Sequence, residues 1–378
     1  MILSNLKLLI CLISISCDRP NEKLSELISV QDISSLQSRF RSPIDDGHNV
    51  TDFLPPNYAQ DGSVDYTRYI QLAINKHDKL IFPGFPLLVN DTGLNIPSNR
   101  TLQFLKGSEL RMKPSLKQGY AIIDIKEAKN VTLYNPVIIG DRYNHLGTGG
   151  EWGMGISIKG ASNVRILGAR ISECWGDGIY IGQSQNVYAS NNITIKDTRL
   201  VKNRRDGISV ISVDGLILEN IYAAYQDGTK PMCGINFETN NSNCEIKGVQ
   251  VINPRTEFNK GNGIQIALST MLGGISKNVN VVVLNHVDRR SNSFAFKVAC
   301  NRKDGITGGN VMGFVNIINP SWNQTIGDRP LSFVTDQLNL KVEIKSVRIK
   351  KANGRMLDHS EINAILKKHS NGNLIILK

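Results

Sequence analysis

Gly155-Ile-Ser-Ile, Gly178-Ile-Tyr-Ile, Gly207-Ile-Ser-Val, Gly234-Ile-Asn-Phe and Gly263-Ile-Gln-Ile are five copies of one short pattern. Their glycines lie 23, 29, 27 and 29 residues apart. A period in this range marks stacked structural units, each resting on the next. The repeat therefore also says which distant residues stand side by side.

Each copy has a partner about half a repeat earlier: Asn130-Val-Thr-Leu, Asn163-Val-Arg-Ile, Asn192-Ile-Thr-Ile, Gly215-Leu-Ile-Leu, Asn243-Cys-Glu-Ile and Asn278-Val-Asn-Val. Alternating apolar and polar residues over four or five positions read as half-buried strands. Gly, Asn, Asp and Ser supply the turns between them. No helical stripe of ten residues occurs within 130–269. Units of two or three short strands bury their apolar side only by stacking, so the expected fold is an all-β, parallel β-helix. Missing helices exclude leucine-rich and helical repeats, and scarce hairpin signals argue against a propeller.

The 378 residues carry 6% aromatics, as thin β layers require, and no apolar run reaches the length of a membrane span. Lys7 precedes the apolar run Leu8–Ser16, which reads as an export signal over residues 1–16. Cys17 follows directly and is the expected lipidation site, although Ser14 stands where a leucine is usual. Residues 17–44 then form a polar tether to a periplasmic or cell-surface domain. Membrane contact is expected only through the Cys17 anchor. Cys174, Cys233, Cys244 and Cys300 remain in the body, and are expected to be free, buried thiols. Net charge is +11, with Arg204, Arg205, Lys230, Arg255, Lys260, Arg289 and Arg290 near the repeat glycines. A basic surface draws a polyanion, here an acidic polysaccharide. No nucleic-acid recognition motif is present, so nucleic acid is excluded as a partner.

Residues 45–378 make one domain. Residues 45–115 differ from the repeats, and Tyr66, Tyr69, Ile70, Ala73 and Ile74 follow helical spacing. A short helix there would shield the strand edge at the end of the stack. Coils are expected over 116–340, then a closing helix and strand over 341–378.

Within 45–115, Asp61-Gly62, Asp65 with Thr67, Ile70-Gln-Leu-Ala-Ile74 and Phe82-Pro83-Gly84 follow one another in order. This succession resembles the N-terminal segment of the pectate-lyase-like right-handed β-helix superfamily. The coils Gly176-Asp-Gly-Ile and Arg205-Asp-Gly-Ile look like those of polygalacturonase-like hydrolases, polysaccharide lyases and phage tailspikes. The resemblance covers roughly residues 45–340 and implies the fold and a carbohydrate ligand, not one reaction. The Asp-Asp, Gly-His-Gly and Arg-x-Lys elements of polygalacturonases are absent as such, and only Asp177 matches their first aspartate. The Tyr-Gly-Phe-Asp-Pro-His run of alginate epimerases is also absent.

Aligned on the repeat glycine, the preceding residues are Met154, Asp177, Asp206, Cys233 and Asn262. Equivalent positions in adjacent coils lie about 4.8 Å apart, so Asp177 and Asp206 are expected neighbours. One of two carboxylates at that distance should have a raised pKa, and a cation would relieve the repulsion. In a glycosidase the pair supplies acid and base or nucleophile. In a lyase, Asp177 and Asp206 hold a divalent cation such as calcium, and Arg204, Arg205 or Lys230 takes the uronate proton. In a binding protein they hold hydroxyls. The plainest alternative is that Asp-Gly only caps a turn. Hydrolysis, which needs no cofactor, is the leading expectation. Trp152 and Trp175 are expected sugar platforms, and Arg204, Arg205 and Lys230 are expected to bind anionic groups. The long insertion around Gly140–Trp152 adds Asp141 and Arg142 as contacts, His145 as a general base and Glu151 as a further catalytic carboxylate within reach of Asp177. Asp227, Glu238 and Glu257 are expected at outward or loop positions as solvated charges or sugar contacts rather than catalysts, with Glu238 the sugar contact taken into the site.

Overall fold

The computed structural model describes residues 46–323 and 329–378. The export segment, the tether and Cys17 lie outside the described residues. Within them the chain is a parallel β-helix. A nine-stranded sheet stacks Leu94–Asn95, Gly119–Lys126, Trp152–Lys159, Ile179–Gly182, Ile208–Val210, Ile235–Glu238, Ile264–Ala267, Phe296–Cys300 and Leu331–Thr335 in chain order. A second, 20-stranded sheet holds the remaining strands, typically two segments per coil. Every pairing between named strands is parallel, as coils wound in one sense require.

Alternation builds the core. Ile156, Ile179, Ile208, Ile235, Ile264, Phe296 and Leu331 align in register as one fully buried column. Ile158, Ile181, Val210, Phe237, Ile266, Val298 and Phe333 form the next. Each such side chain contributes about 1.5–3 kcal/mol by leaving water. The residues between them, Ser157, Tyr180, Ser209, Asn236, Gln265 and Lys297, form one outward column.

The repeat glycines do not serve as left-handed turns. A Cβ on Gly207 would lie 2.4 Å from the Gly234 carbonyl oxygen, and one on Gly178 would lie 2.8 Å from that of Gly207. Close approach of successive coils, not positive φ, demands glycine there. Left-handed turns fall on asparagines instead. Asn99, Asn130, Asn163 and Asn192 have φ of 53–60° and link amide to amide at 2.8–3.1 Å. Asp197, Asn220, Asn253, Asn285 and Asn319 form a second such ladder. Asparagine tolerates this conformation and carries both a donor and an acceptor, so it recurs at the heads of the strand seeds.

The helix expected near Tyr66–Ile74 spans Thr67–Lys76 and buries Thr67, Ile70, Ala73 and Ile74. Asp65 accepts from the Thr67 amide and hydroxyl, and the Thr67 hydroxyl oxygen accepts from the Asn90 amide. Gln71 bonds both backbone groups of Asn95, in the first strand of the nine-stranded sheet. That strand's outer edge is therefore satisfied by a side chain. The coils begin earlier than expected: Lys79–Phe82 and Pro86–Val89 already pair with Arg100–Phe104 and Glu109–Met112. These turns lack the Gly-Ile-x-Ile copy because their nine-stranded-sheet segment is only Leu94–Asn95. At the other end, His359–Lys367 is a helix with a capping box between Asp358 and Glu361. Asn373–Leu377 then adds one more parallel strand beside Leu340–Lys345. Cys174, Cys233, Cys244 and Cys300 are buried and free.

Candidate functional site

Asp177 and Asp206 enter adjacent strands of the nine-stranded sheet, and the parallel register makes them neighbours. Asp177 Oδ1 accepts the Asp206 amide at 3.0 Å, and Asp206 Oδ1 accepts the Cys233 amide at 2.6 Å. Asn262, at the same coil position, accepts the Phe294 amide at 3.0 Å. The column therefore caps the backbone of the following coil, rather than its own turn. Both aspartates are fully buried.

Arg205 covers them. Its Nη1 lies 3.2 Å from Asp177 Oδ2, Asp206 Oδ2 and Ser209 Oγ, and its Nη2 lies 2.6 Å from Glu238 Oε2. Glu151 Oε2 stands 3.9 Å from Nε, which is buried and has no hydrogen-bond partner. One guanidinium thus gathers four carboxylates. Only 12% of the Arg205 side chain is exposed, against 32% for Glu151 and 35% for Glu238. Beneath it, Asn236 donates to Asp206 Oδ2 and Glu238 Oε2, and Gln265 and Asn262 extend the network along the sheet. Ser209, Asn236 and Gln265 are site residues that motif reading missed. Their signal is the variable position of Gly-Ile-x-Ile.

Burial pushes the Asp206 carboxyl up to about 7, reinforced by the Asp177 charge and opposed by Arg205. Burial also raises Asp177. Burial disfavours the Arg205 charge, but Asp177, Asp206 and Glu238 outweigh it and hold the group protonated far above neutrality. The guanidinium of Arg205 stands between the two aspartates. Among the described residues, no group of three or more His, Cys, Asp or Glu side chains is arranged to hold a metal.

Several expected site residues turn inward. The His145 side chain is fully buried, with Nδ1 2.8 Å from Asp141 Oδ2 and its ring stacked 3.8 Å from Trp175. It is closed to substrate and so corrects the general-base expectation. Asp141 is buried, accepting from the Ser115 amide and the Tyr120 hydroxyl as well. Trp175 is held between His145 and the Arg204 guanidinium, 3.8 Å from its ring, so neither face is free for a sugar. Arg204 spends donors on the Gly150 and Trp175 carbonyls, and Arg142 on those of Lys202 and Asn203. Asp141, Arg142, His145, Trp175 and Arg204 together clamp the 140–151 insertion onto the coils. Glu257, expected to be solvated, is buried and paired with Arg255. Trp152 is 54% exposed, and Lys230 is exposed. Glu151 and Glu238 are therefore the carboxylates of the cluster that reach solvent, and the exposed Trp152 follows Glu151 in the chain.

A family described as "Right handed beta helix region" matches residues 107–220 and 154–312. Two proteins of Bacillus subtilis (strain 168) are similar in sequence. The SPbeta prophage-derived uncharacterized protein YorA is 34% identical over 39% of this chain and 28% of its own length. The uncharacterized protein YclG is 30% identical over 50% of this chain and 37% of its own. The chain thus spans about a third of these relatives. Among solved structures, the tailspike of E. coli bacteriophage HK620, in complex with a pentasaccharide, has a TM-score of 0.57 at 13% identity, covering 85% of this chain and 61% of the tailspike. The Azotobacter vinelandii mannuronan C-5 epimerase AlgE4 A-module has a TM-score of 0.52 at 15% identity, covering 87% and 95%. PfbA, a surface adhesin of Streptococcus pneumoniae, has a TM-score of 0.54 at 12% identity, covering 81% and 88%. At these identities the likeness is one of fold.

Proposed function

The chain belongs to the family of right-handed β-helix regions, and from that premise we propose that it binds a polysaccharide on the outer face of the nine-stranded sheet and hydrolyses a glycosidic bond there. Neighbours in this fold that are named for mannuronan, or seen with a pentasaccharide, support a glycan ligand. The observation that carries the reading is the gathering of Asp177, Asp206, Glu151 and Glu238 around Arg205. Two carboxylates supply the acid and the base or nucleophile of glycoside hydrolysis. In our assignment Glu151 and Glu238 react, because only they reach solvent, while Asp177 and Asp206 hold Arg205. Glu238, oriented by Arg205 and Asn236, is the nucleophile or base. Glu151 is the acid, beside the exposed ring of Trp152 on which a sugar stacks.

Four carboxylates against one guanidinium leave surplus negative charge, even with a proton on Asp206. The sugar at the reacting position is therefore uncharged in this assignment. The lyase reading is weaker, since its base would have to be a neutral Arg204, Arg205 or Lys230. Arg205 is held protonated, and Arg204 is spent on carbonyls. Calcium between Asp177 and Asp206 would first have to displace the guanidinium. Binding without cleavage is favoured by one observation: Arg205 saturates the two deepest carboxylates. Placement at the cell surface, through export and acylation of Cys17, is proposed from sequence alone.

The test incubates the protein with neutral and acidic glycans and follows reducing ends and ultraviolet absorbance together. Reducing ends without absorbance, lost in Glu151→Gln and Glu238→Gln, support hydrolysis. Absorbance rising with them, dependent on calcium, means elimination. Binding with neither signal means a glycan-binding protein.

A further inference from the structure

The carboxylates gathered around Arg205 make the candidate site acid-rich, yet the chain carries a net charge of +11. One place where that positive charge is organised lies on the other sheet. Arg170 pairs in register with Arg199, Arg199 with Tyr222, and Tyr222 with Arg255. Ile171 and Leu200 beside them point into the core, so the two arginines point outward from adjacent coils, about 4.8 Å apart along the stack.

Arg199 is fixed from below. Its guanidinium lies over the Tyr222 ring at 4.2 Å. The Tyr222 hydroxyl donates to Glu257 Oε2 at 3.0 Å, and Glu257, 2% exposed, is held by Arg255 at 2.6 Å. That carboxylate is committed to Tyr222, Arg255 and Arg289. Among the described residues, neither Arg170 nor Arg199 has a carboxylate within ion-pair distance. The influences on Arg170 are burial and the like charge of Arg199, with no acid offsetting them. Two half-buried, adjacent guanidinia, one pre-oriented on an aromatic ring, are left facing outward with their forks unfilled.

We propose that Arg170 and Arg199 form an anion-binding site for a sulfate or carboxylate group of an acidic glycan, separate from the carboxylate cluster around Arg205. An oxyanion between the two guanidinia would bridge both and relieve their repulsion, through bidentate, charge-assisted bonds. A glycan fits better than single-stranded nucleic acid. The one ring on this ridge, Tyr222, has Arg199 at 4.2 Å and Arg255 at 5.7 Å, leaving no open aromatic face on which a base could stack. The site does not depend on the reaction assigned to the carboxylate cluster around Arg205.

The test is calorimetric binding of a sulfated oligosaccharide and of an oligogalacturonate to the full chain, beside Arg170→Gln, Arg199→Lys, Arg199→Gln and Arg165→Gln. Arg165 is exposed on the neighbouring segment Ser162–Leu167, and its replacement removes the same charge elsewhere. The expected result is affinity at least tenfold weaker in Arg170→Gln and Arg199→Gln, partly retained in Arg199→Lys, and within twofold of the parent in Arg165→Gln. An uncharged oligosaccharide should not bind at this site. No binding by the parent chain would overturn the proposal. So would equal losses in Arg165→Gln, which would mean diffuse charge. Tighter binding of an oligonucleotide with the same residue dependence would overturn the choice of a glycan.

Discussion

Arg205 holds Asp206 with Nη1 3.2 Å from Oδ2, although the two are consecutive in the chain and Asp206 is fully buried. The arginine folds back over the sheet that its own neighbour enters, and on the way collects Asp177 from one coil earlier and Glu238 from one coil later.

Removing the guanidinium strands two buried carboxylates. Arg205→Ala should cost about 3–5 kcal/mol, the range for breaking a buried ion pair from one side. Urea denaturation should show a lower midpoint with an unchanged slope. Asp177→Asn/Asp206→Asn, made in the Arg205→Ala background, should recover part of the loss. Additive losses would mean that the carboxylates and Arg205 are not coupled.

The proton on Asp206 makes stability depend on pH. Its folded pKa is raised to about 7, from 3.8. The folded state therefore holds a proton that the unfolded chain has released, and this contribution is present below about pH 4. It is lost as pH rises through 7. Thermal melts of Asp206→Asn between pH 4 and 8 should therefore fall less with rising pH than those of the parent, and identical profiles would contradict the raised Asp206 carboxyl.

His286 acts in the opposite direction. Burial depresses it to about 3, and its Nδ1 accepts from the Trp322 indole at 3.1 Å, which leaves the proton on Nε2, facing Thr256. The unfolded chain takes up a proton near 6.5, so the His286 contribution is lost as pH drops from 6.5 toward 3 and offsets part of the Asp206 gain there. Nitrogen chemical shifts of the ring should report the neutral Nε2–H form throughout that window.

The two tryptophans should behave differently. Trp152→Ala should leave melting nearly unchanged and weaken glycan binding, because its ring faces solvent. Trp175→Ala should cost about 3–5 kcal/mol, since the ring packs between His145 and Arg204. Equal melting temperatures for both variants would contradict this division.

Gly207→Ala tests the stacking itself. Its Cβ would press against the Gly234 carbonyl oxygen at 2.4 Å, backbone that cannot yield without opening the coil. The expected loss is about 1–3 kcal/mol or more. A variant as stable as the parent would show that the coils are looser than this contact requires.

The repeat alone determined the fold. A parallel solenoid stacks like on like, so sequence period translates directly into spatial adjacency. For that reason Asp177 and Asp206 were legible as neighbours, and so was the row of asparagines heading the strands. The same logic placed Arg204 and Arg205 beside them. Side-chain direction at the corners is not periodic, and there only the tertiary structure decided. Trp152 and Trp175 occupy equivalent positions in adjacent coils, yet the 140–151 insertion folds over one and leaves the other open. His145 and Asp141 look like reactive groups in a loop, but the loop is clamped and they are buried within it. Arg205 reads as a ligand for a substrate anion. Three-dimensional packing makes it the counterion of the protein's own carboxylates, because burial raises the cost of leaving those charges unpaired.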